Sequence, residues 1–173
     1  MQRGRGALVV IDVQNGFITD SSRAVVPSIV DLVRRWSGPT VFTRYHNYPG
    51  SPYERLVGWT AMQGPPETDL VDELTPHARY APVVDKRTYS LFTDEGRALV
   101  AARGWTELAF CGIATDSCVL KSAVDAFELG ITPWVVTDAC ASDYSPDAHA
   151  AGLLCLRVMI GAGQLVTTAR LLG

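Results

Sequence analysis

Six short apolar runs, spaced along the chain with helical patterns or loops between them, restrict the fold more than any other feature of this sequence. Residues 7–11, 40–43, 82–86, 107–111, 132–136 and 164–167 read as strands. The first, ALVVI, has no alternation of apolar and polar side chains, so both of its faces must be covered, as in a parallel strand between two helical layers. Residues 25–36 set Val26, Ile29, Val30 and Val33 at helical spacing and stop at Gly38-Pro39, and residues 68–74 read as a shorter helix. Residues 93–103 start at a Thr93 N-cap and end at Gly104, residues 115–129 close at Gly130, and residues 146–160 make the last helix. Strands alternating with helices predict an α/β protein. The expected fold has three layers and is doubly wound, with a six-stranded, mostly parallel sheet in the order 3-2-1-4-5-6 flanked by helices. A length of 173 residues suits one such core, so residues 1–173 are expected to form a single domain.

Composition narrows the partners. Eighteen acidic against fifteen basic side chains give a net charge of -3, and no segment gathers Lys and Arg into a stripe, which argues against nucleic acid. The N-terminal apolar run breaks at Asp12, too early for a signal-peptide core or a membrane span. A cytoplasmic protein without membrane contact is expected. Cys111, Cys118, Cys140 and Cys155 form no CxxC pair and are read as reduced thiols. His46, His77 and His149 lack a second ligand at zinc spacing, so no metal is expected. Gly4-Arg5-Gly6 precedes its strand, whereas a dinucleotide-binding turn follows one, and no cofactor is assigned.

In doubly wound sheets ligands bind beyond the carboxyl ends of the strands. Those ends carry Asp12, Arg44 to His46, Lys86, residues 112–118 and Asp138, and the expected strand order lets Asp12, Lys86 and Cys118 converge. A thiol with a pKa of about 8.5 needs a cation, a base or a helix N-terminus to become a nucleophile near neutrality. Cys118 lies three residues beyond Thr115, in the first turn of its helix, where unpaired N–H groups stabilise an anion. Lys86 is expected to lower the thiol pKa by charge, and Asp12 to take the proton and later deliver it to the leaving group. Singly, each residue has a plainer reading: Cys118 as a small buried hydrophobe, Asp12 as a helix cap, Lys86 as a solvated charge. Their joint position favours chemistry. Residues 45–66 form a loop long enough to wall a pocket and contain Tyr45, Tyr48, Tyr53 and Trp59. Tyr45, His46 and Trp59, with Gln14 and Phe17 after the first strand, are the candidate substrate contacts. Cys111, Cys140 and Cys155 are expected in the core, His77 and His149 in structural roles, and Asp116 accepting backbone hydrogen bonds at its helix start.

Three segments, VVIDVQNGF, VVDKRTYSLF and CGIATDSCVLKSA, resemble the signature segments of the isochorismatase-like cysteine hydrolases. The resemblance continues through VVTDACAS, PDAH and QLVTT and so covers nearly the whole chain. It implies a catalytic triad of Asp12, Lys86 and Cys118, a cis peptide at Ile113-Ala114, and an oxyanion hole made by the amides of Ala114 and Cys118. It further implies a homo-oligomer, dimer or tetramer, with a small-molecule substrate. The chain departs from the family pattern twice. Nicotinamidase-like members hold a metal with an Asp two residues before a His and a further His, whereas here the stretch reads Arg44-Tyr45-His46 and no second His follows in the loop. Members often carry an acid after Gln-Asn in the first motif, where this chain has Gly16. The expected activity is cofactor-free hydrolysis of an amide or related C–N bond of a small molecule through a thioester. The alternatives are vinyl ether hydrolysis of the isochorismatase type and a non-catalytic binding or thiol-sensing protein on the same scaffold.

Overall fold

The structure, a computed structural model, describes residues 5–173; Gly4 of the Gly4-Arg5-Gly6 segment and the basic start of the chain lie outside the described residues. Strands β1 (Gly6–Ile11), β2 (Thr40–Tyr45), β3 (Val83–Lys86), β4 (Glu107–Ile113), β5 (Thr132–Ala141) and β6 (Leu165–Val166) form one sheet in the order β3-β2-β1-β4-β5-β6. Every neighbouring pair is parallel, as the apolar runs predict. All of β1 is buried, which is what an uninterrupted apolar run at the centre of a covered sheet requires.

Among the described residues six α-helices connect and flank these strands: α1 (Val26–Arg35), α2 (Thr75–Ala78), α3 (Asp94–Arg103), α4 (Leu120–Glu128), α5 (Pro146–Met159) and α6 (Thr168–Leu172). The hydroxyls of Thr93, Ser145 and Thr167 accept from the amides of Gly96, Ala148 and Arg170, giving first-turn N–H groups the partners that the helix itself cannot supply. α1 turns Val26, Ile29, Leu32 and Val33 into the core, and α4 packs beside α5. The chain winds outward from β1 to β3 and then, from β4 to β6, in the opposite direction. The reversal falls between β1 and β4, where a doubly wound sheet opens a crevice beyond its strand ends.

Several expectations need correction. Residues 68–74 are not a helix: Leu70 pairs antiparallel with Gln14, and the amides of Asn15 and Gly16 donate to the carbonyls of Asp69 and Glu67. The chain is spent on holding the segment after β1, and helix begins only at Thr75. β5 runs to Ala141 because a register shift between Phe110 and Gly112 lets it pair again, Gly112 with Cys140 and Ile113 with Ala141. The loop of residues 45–66 contains a π-helical turn, Tyr53–Val57, and a cis Pro65-Pro66 bond. Cys155 is exposed rather than in the core, while Cys111 and Cys140 are buried; all four cysteines are free. Asp116 does not cap its helix: its Oδ1 is buried without a hydrogen-bond partner. Among the described residues no helix is long and apolar enough to cross a membrane.

Candidate active site

Asp12 is the first residue after β1, with φ at +46°, a left-handed conformation that Asp adopts more readily than most residues. Its carboxylate is clasped by Thr43 on the neighbouring strand. The Asp12 N–H donates to Thr43 Oγ1 at 3.2 Å, and that hydroxyl donates back to Asp12 Oδ1 at 2.6 Å. Thr43 was not among the sequence candidates. Lys86 ends β3 in register with Tyr45. Its Nζ reaches Asp12 Oδ2 at 2.6 Å, the Thr88 carbonyl at 2.9 Å and Cys118 Sγ at 3.6 Å. An ammonium has three protons, so each has an acceptor. The Tyr45 ring adds a cation–π contact, its centroid 5.4 Å from Nζ. Both charged side chains are wholly buried, at 0% exposure.

Cys118 stands in a π-helical turn, Thr115–Val119, that begins after the cis Ile113-Ala114 peptide and runs straight into α4. The amides of Ser117 and Val119 both donate to the Ala114 carbonyl, which ties the turn to the end of β4. Burial pushes the Cys118 thiol up to about 12; the Lys86 ammonium pulls it down, and the Asp12 carboxylate pushes it further up. Lys86 thus lowers this thiol by its charge, as expected, but desolvation outweighs the cation and the net shift is upward. For Lys86 the balance goes the other way: burial pulls its pKa down, yet Asp12 and Cys118 outweigh that and hold it above the ordinary lysine value. At neutral pH the arrangement is a neutral thiol beside a carboxylate–ammonium pair. A thiolate has to form as bonds change, by proton transfer to a base within reach.

Aromatic rings surround this group. Phe17 and Trp59 stack at 6.0 Å, Tyr45 meets Tyr53 edge-on at 5.2 Å, and Tyr53 meets Tyr89 at 5.1 Å. Burial above all raises the pKa of Tyr45, Tyr53 and Tyr89, and the Cys118 sulfur adds to each, so three phenols stay protonated near the thiol. Tyr45, Phe17 and Trp59 are thus gathered as the sequence suggests. Tyr89, outside the loop, joins them, while Tyr48 instead lies against Arg87, whose guanidinium carbon is 5.1 Å from the ring centroid.

Two sequence candidates are not gathered. Gln14 is buried, with Nε2 donating to the carbonyls of Tyr45 and Thr68 at 3.0 and 2.8 Å and Oε1 accepting the Tyr45 N–H at 2.7 Å. It positions Tyr45, and both of its amide protons are spent on backbone carbonyls. His46 falls on the wrong face: strand alternation turns Thr43, Tyr45 and Lys86 one way and Arg44, His46 and Asp85 the other. Arg44 grips Asp85 with two bonds of 2.8 and 2.9 Å, and His46 Nε2 lies 3.0 Å from the same carboxylate. Burial works to raise the Asp85 pKa, but these two partners hold it below the usual carboxylate range. This trio does not fit a metal, because the guanidinium claims both carboxylate oxygens and no cluster of three or more His, Cys, Asp or Glu ligands occurs among the described residues. Gly16 also has a physical reason. A Cβ there would stand 2.1 Å from Met62 Sδ and 3.1 Å from Glu67 Cβ, so an acidic side chain has no room unless Met62 moves.

The family described as Isochorismatase domain matches residues 6–170. Among curated proteins, the chain is 30% identical over 156 residues to a probable isochorismatase of Pseudomonas chlororaphis, covering 84% of this chain and 75% of that protein. Among solved structures, nicotinamidase PncA from Bacillus subtilis superposes with a TM-score of 0.81 at 28% identity, covering 94% of this chain and 99% of that one. N-carbamoylsarcosine amidase from Thermoplasma acidophilum superposes with a TM-score of 0.78 at 28% identity, covering 95% and 96%.

Proposed function

The chain is a hydrolase of the isochorismatase family, and from that premise we propose that it cleaves an amide or related C–N bond of a small molecule through a thioester on Cys118. The observation that carries the reading is the contact of three buried groups at the sheet switch point, Lys86 Nζ 2.6 Å from Asp12 and 3.6 Å from Cys118 Sγ. In the first step Sγ bonds to the substrate carbonyl carbon as the thiol proton passes to the Asp12 carboxylate. The oxyanion is met by the amides of Ala114 and Cys118, at the start of a helix where N–H groups and the dipole favour negative charge. Lys86 holds Asp12 in position and keeps the emerging sulfur anion beside a cation. The C–N bond then breaks as Asp12 protonates the leaving nitrogen. Water attacks the thioester with Asp12 taking its proton, the C–S bond breaks, and the proton returns to sulfur.

The amidases among the relatives support C–N cleavage, and the aromatic wall suits a small, largely uncharged substrate. The 30% identity to a probable isochorismatase supports a second reading, vinyl ether hydrolysis of isochorismate. Ammonia release from a panel of small amides, ureides and nicotinamide, run beside isochorismate itself, separates the two. Under the first reading Cys118→Ala keeps its fold and loses ammonia release; undiminished hydrolysis by that variant would refute it. The same proposal takes residues 1–173 as one domain of a cytoplasmic homo-oligomer, dimer or tetramer, without nucleic-acid partners.

A further inference from the structure

A second polar cluster lies behind the Cys118 turn and takes no part in the steps above. Thr115, fully buried, opens that turn, and its Oγ1 is 2.8 Å from Nδ1 of His149 near the start of α5. Asp116 follows it, with Oδ1 buried and unpartnered. The backbones of α5 and the turn also touch: a Cβ on Gly152 would stand 2.7 Å from Asp116 Cα and 2.8 Å from its nitrogen, an approach only glycine permits. The helix therefore holds the turn at two points, one steric and one a hydrogen bond.

The hydrogen bond depends on charge. A neutral imidazole offers one acceptor nitrogen, whereas an imidazolium only donates. Thr115 can donate to neutral His149 at Nδ1, but must reverse to accept from the charged ring, which strands its own proton in a site with no exposure.

We propose that His149 is a positioning residue: through Thr115 it seats the turn that presents Cys118 and the Ala114 amide, and protonation of its ring loosens that seat. The inference rests on reading Cys118 as the nucleophile. Burial holds the His149 pKa below its ordinary value against the pull of Asp116. The seat is thus intact at neutral pH and given up in acid. The charged group that acts on this ring is Asp116 on the turn, and Asp116 is itself coupled to Asp143 on the loop before α5. Burial, with Asp116 adding to it, raises the Asp143 carboxyl, so its titration is told apart from that of His149 by mutation.

The test is a 1H–15N NMR titration of the full chain between about pH 4.5 and 8. The amides of Cys118 and Ala114 are expected to move with the same midpoint as the His149 ring. In Thr115→Val the ring still titrates and those amides stop following it. In His149→Asn, which offers an uncharged amide near the Nδ1 position, the inflection at the native His149 midpoint disappears from both amides; an inflection at a different pH belongs to Asp143. The proposal is overturned if the native amides show no inflection at the His149 midpoint, or if one persists in Thr115→Val or His149→Asn. No turnover is needed, so failure of the thioester mechanism and failure of this coupling are read separately.

Discussion

Replacing Lys86 by methionine keeps an unbranched, apolar stem as far as Cε and removes the ammonium, whose three protons serve Asp12, Thr88 and Cys118. The variant leaves the Asp12 carboxylate at 0% exposure without its cation. Breaking a buried ion pair by removing one partner costs about 3–5 kcal/mol. An exposed pair such as Arg35–Asp31, with both side chains more than half exposed, is worth about 0–1 kcal/mol. For a chain of this size each kcal/mol moves the melting temperature by about 2–4 °C, so Lys86→Met is expected to melt roughly 6–20 °C lower. Reversible urea unfolding at pH 7, with a thermal melt beside it, measures both quantities. The double variant Asp12→Asn with Lys86→Met removes the stranded charge as well and should cost less than the two single changes together, by about 1–3 kcal/mol. A loss below 1 kcal/mol in Lys86→Met, or strict additivity in the double variant, would refute the buried pair.

Three further outcomes follow from the same geometry. With burial holding the Cys118 thiol at about 12, only about one molecule in ten thousand is thiolate at pH 8. Alkylation of Cys118 by iodoacetamide, followed by peptide mass spectrometry, should therefore rise about tenfold per pH unit from 7 to 10; a plateau near pH 8.5 contradicts this. Thr43→Val removes the hydroxyl that both accepts from Asp12 N–H and donates to its carboxylate, and is expected to cost about 1.5–3 kcal/mol in urea unfolding. Unchanged stability would mean the clasp is idle. Gly16→Asp drives a side chain into Met62 Sδ and should cost about 1–3 kcal/mol of overpacking, read as a lowered melting temperature; a melt equal to the native chain removes the packing reason for glycine.

Much of the fold was legible because parallel strands covered on both faces have to be apolar throughout, and ALVVI at residues 7–11 admits few other roles. Asp12 and Lys86 were legible for the complementary reason, being polar residues where apolar runs stop, and Cys118 because it falls in the first turn of the helix after Thr115. Thr43 was not, since its role depends on which strand lies beside β1 and in what register, a fact separated from Asp12 by 31 positions of chain. His46 was misjudged by one residue of parity. Extending the second strand from residue 43 to Tyr45 puts Arg44 and His46 on the face opposite Tyr45. Gln14 looked free because it follows a strand, whereas it satisfies both backbone groups of Tyr45, and no local pattern signals a side chain spent on distant backbone. Residues 68–74 failed as a helix for the same reason: the carbonyls of Thr68 and Asp69 are claimed by the Gln14 side chain and the Asn15 amide, and tertiary pairing outweighs local propensity.

The central claim is that Cys118 carries the acyl group between C–N cleavage and hydrolysis. The most direct measurement is an acid quench within the first turnovers on the amide from the panel that releases ammonia fastest, followed by peptide mass mapping. The expected result is an increment equal to the acyl group on the Cys118 peptide alone, removed by hydroxylamine. Ammonia release that continues in Cys118→Ala, with no increment on any peptide of the native chain, would contradict it.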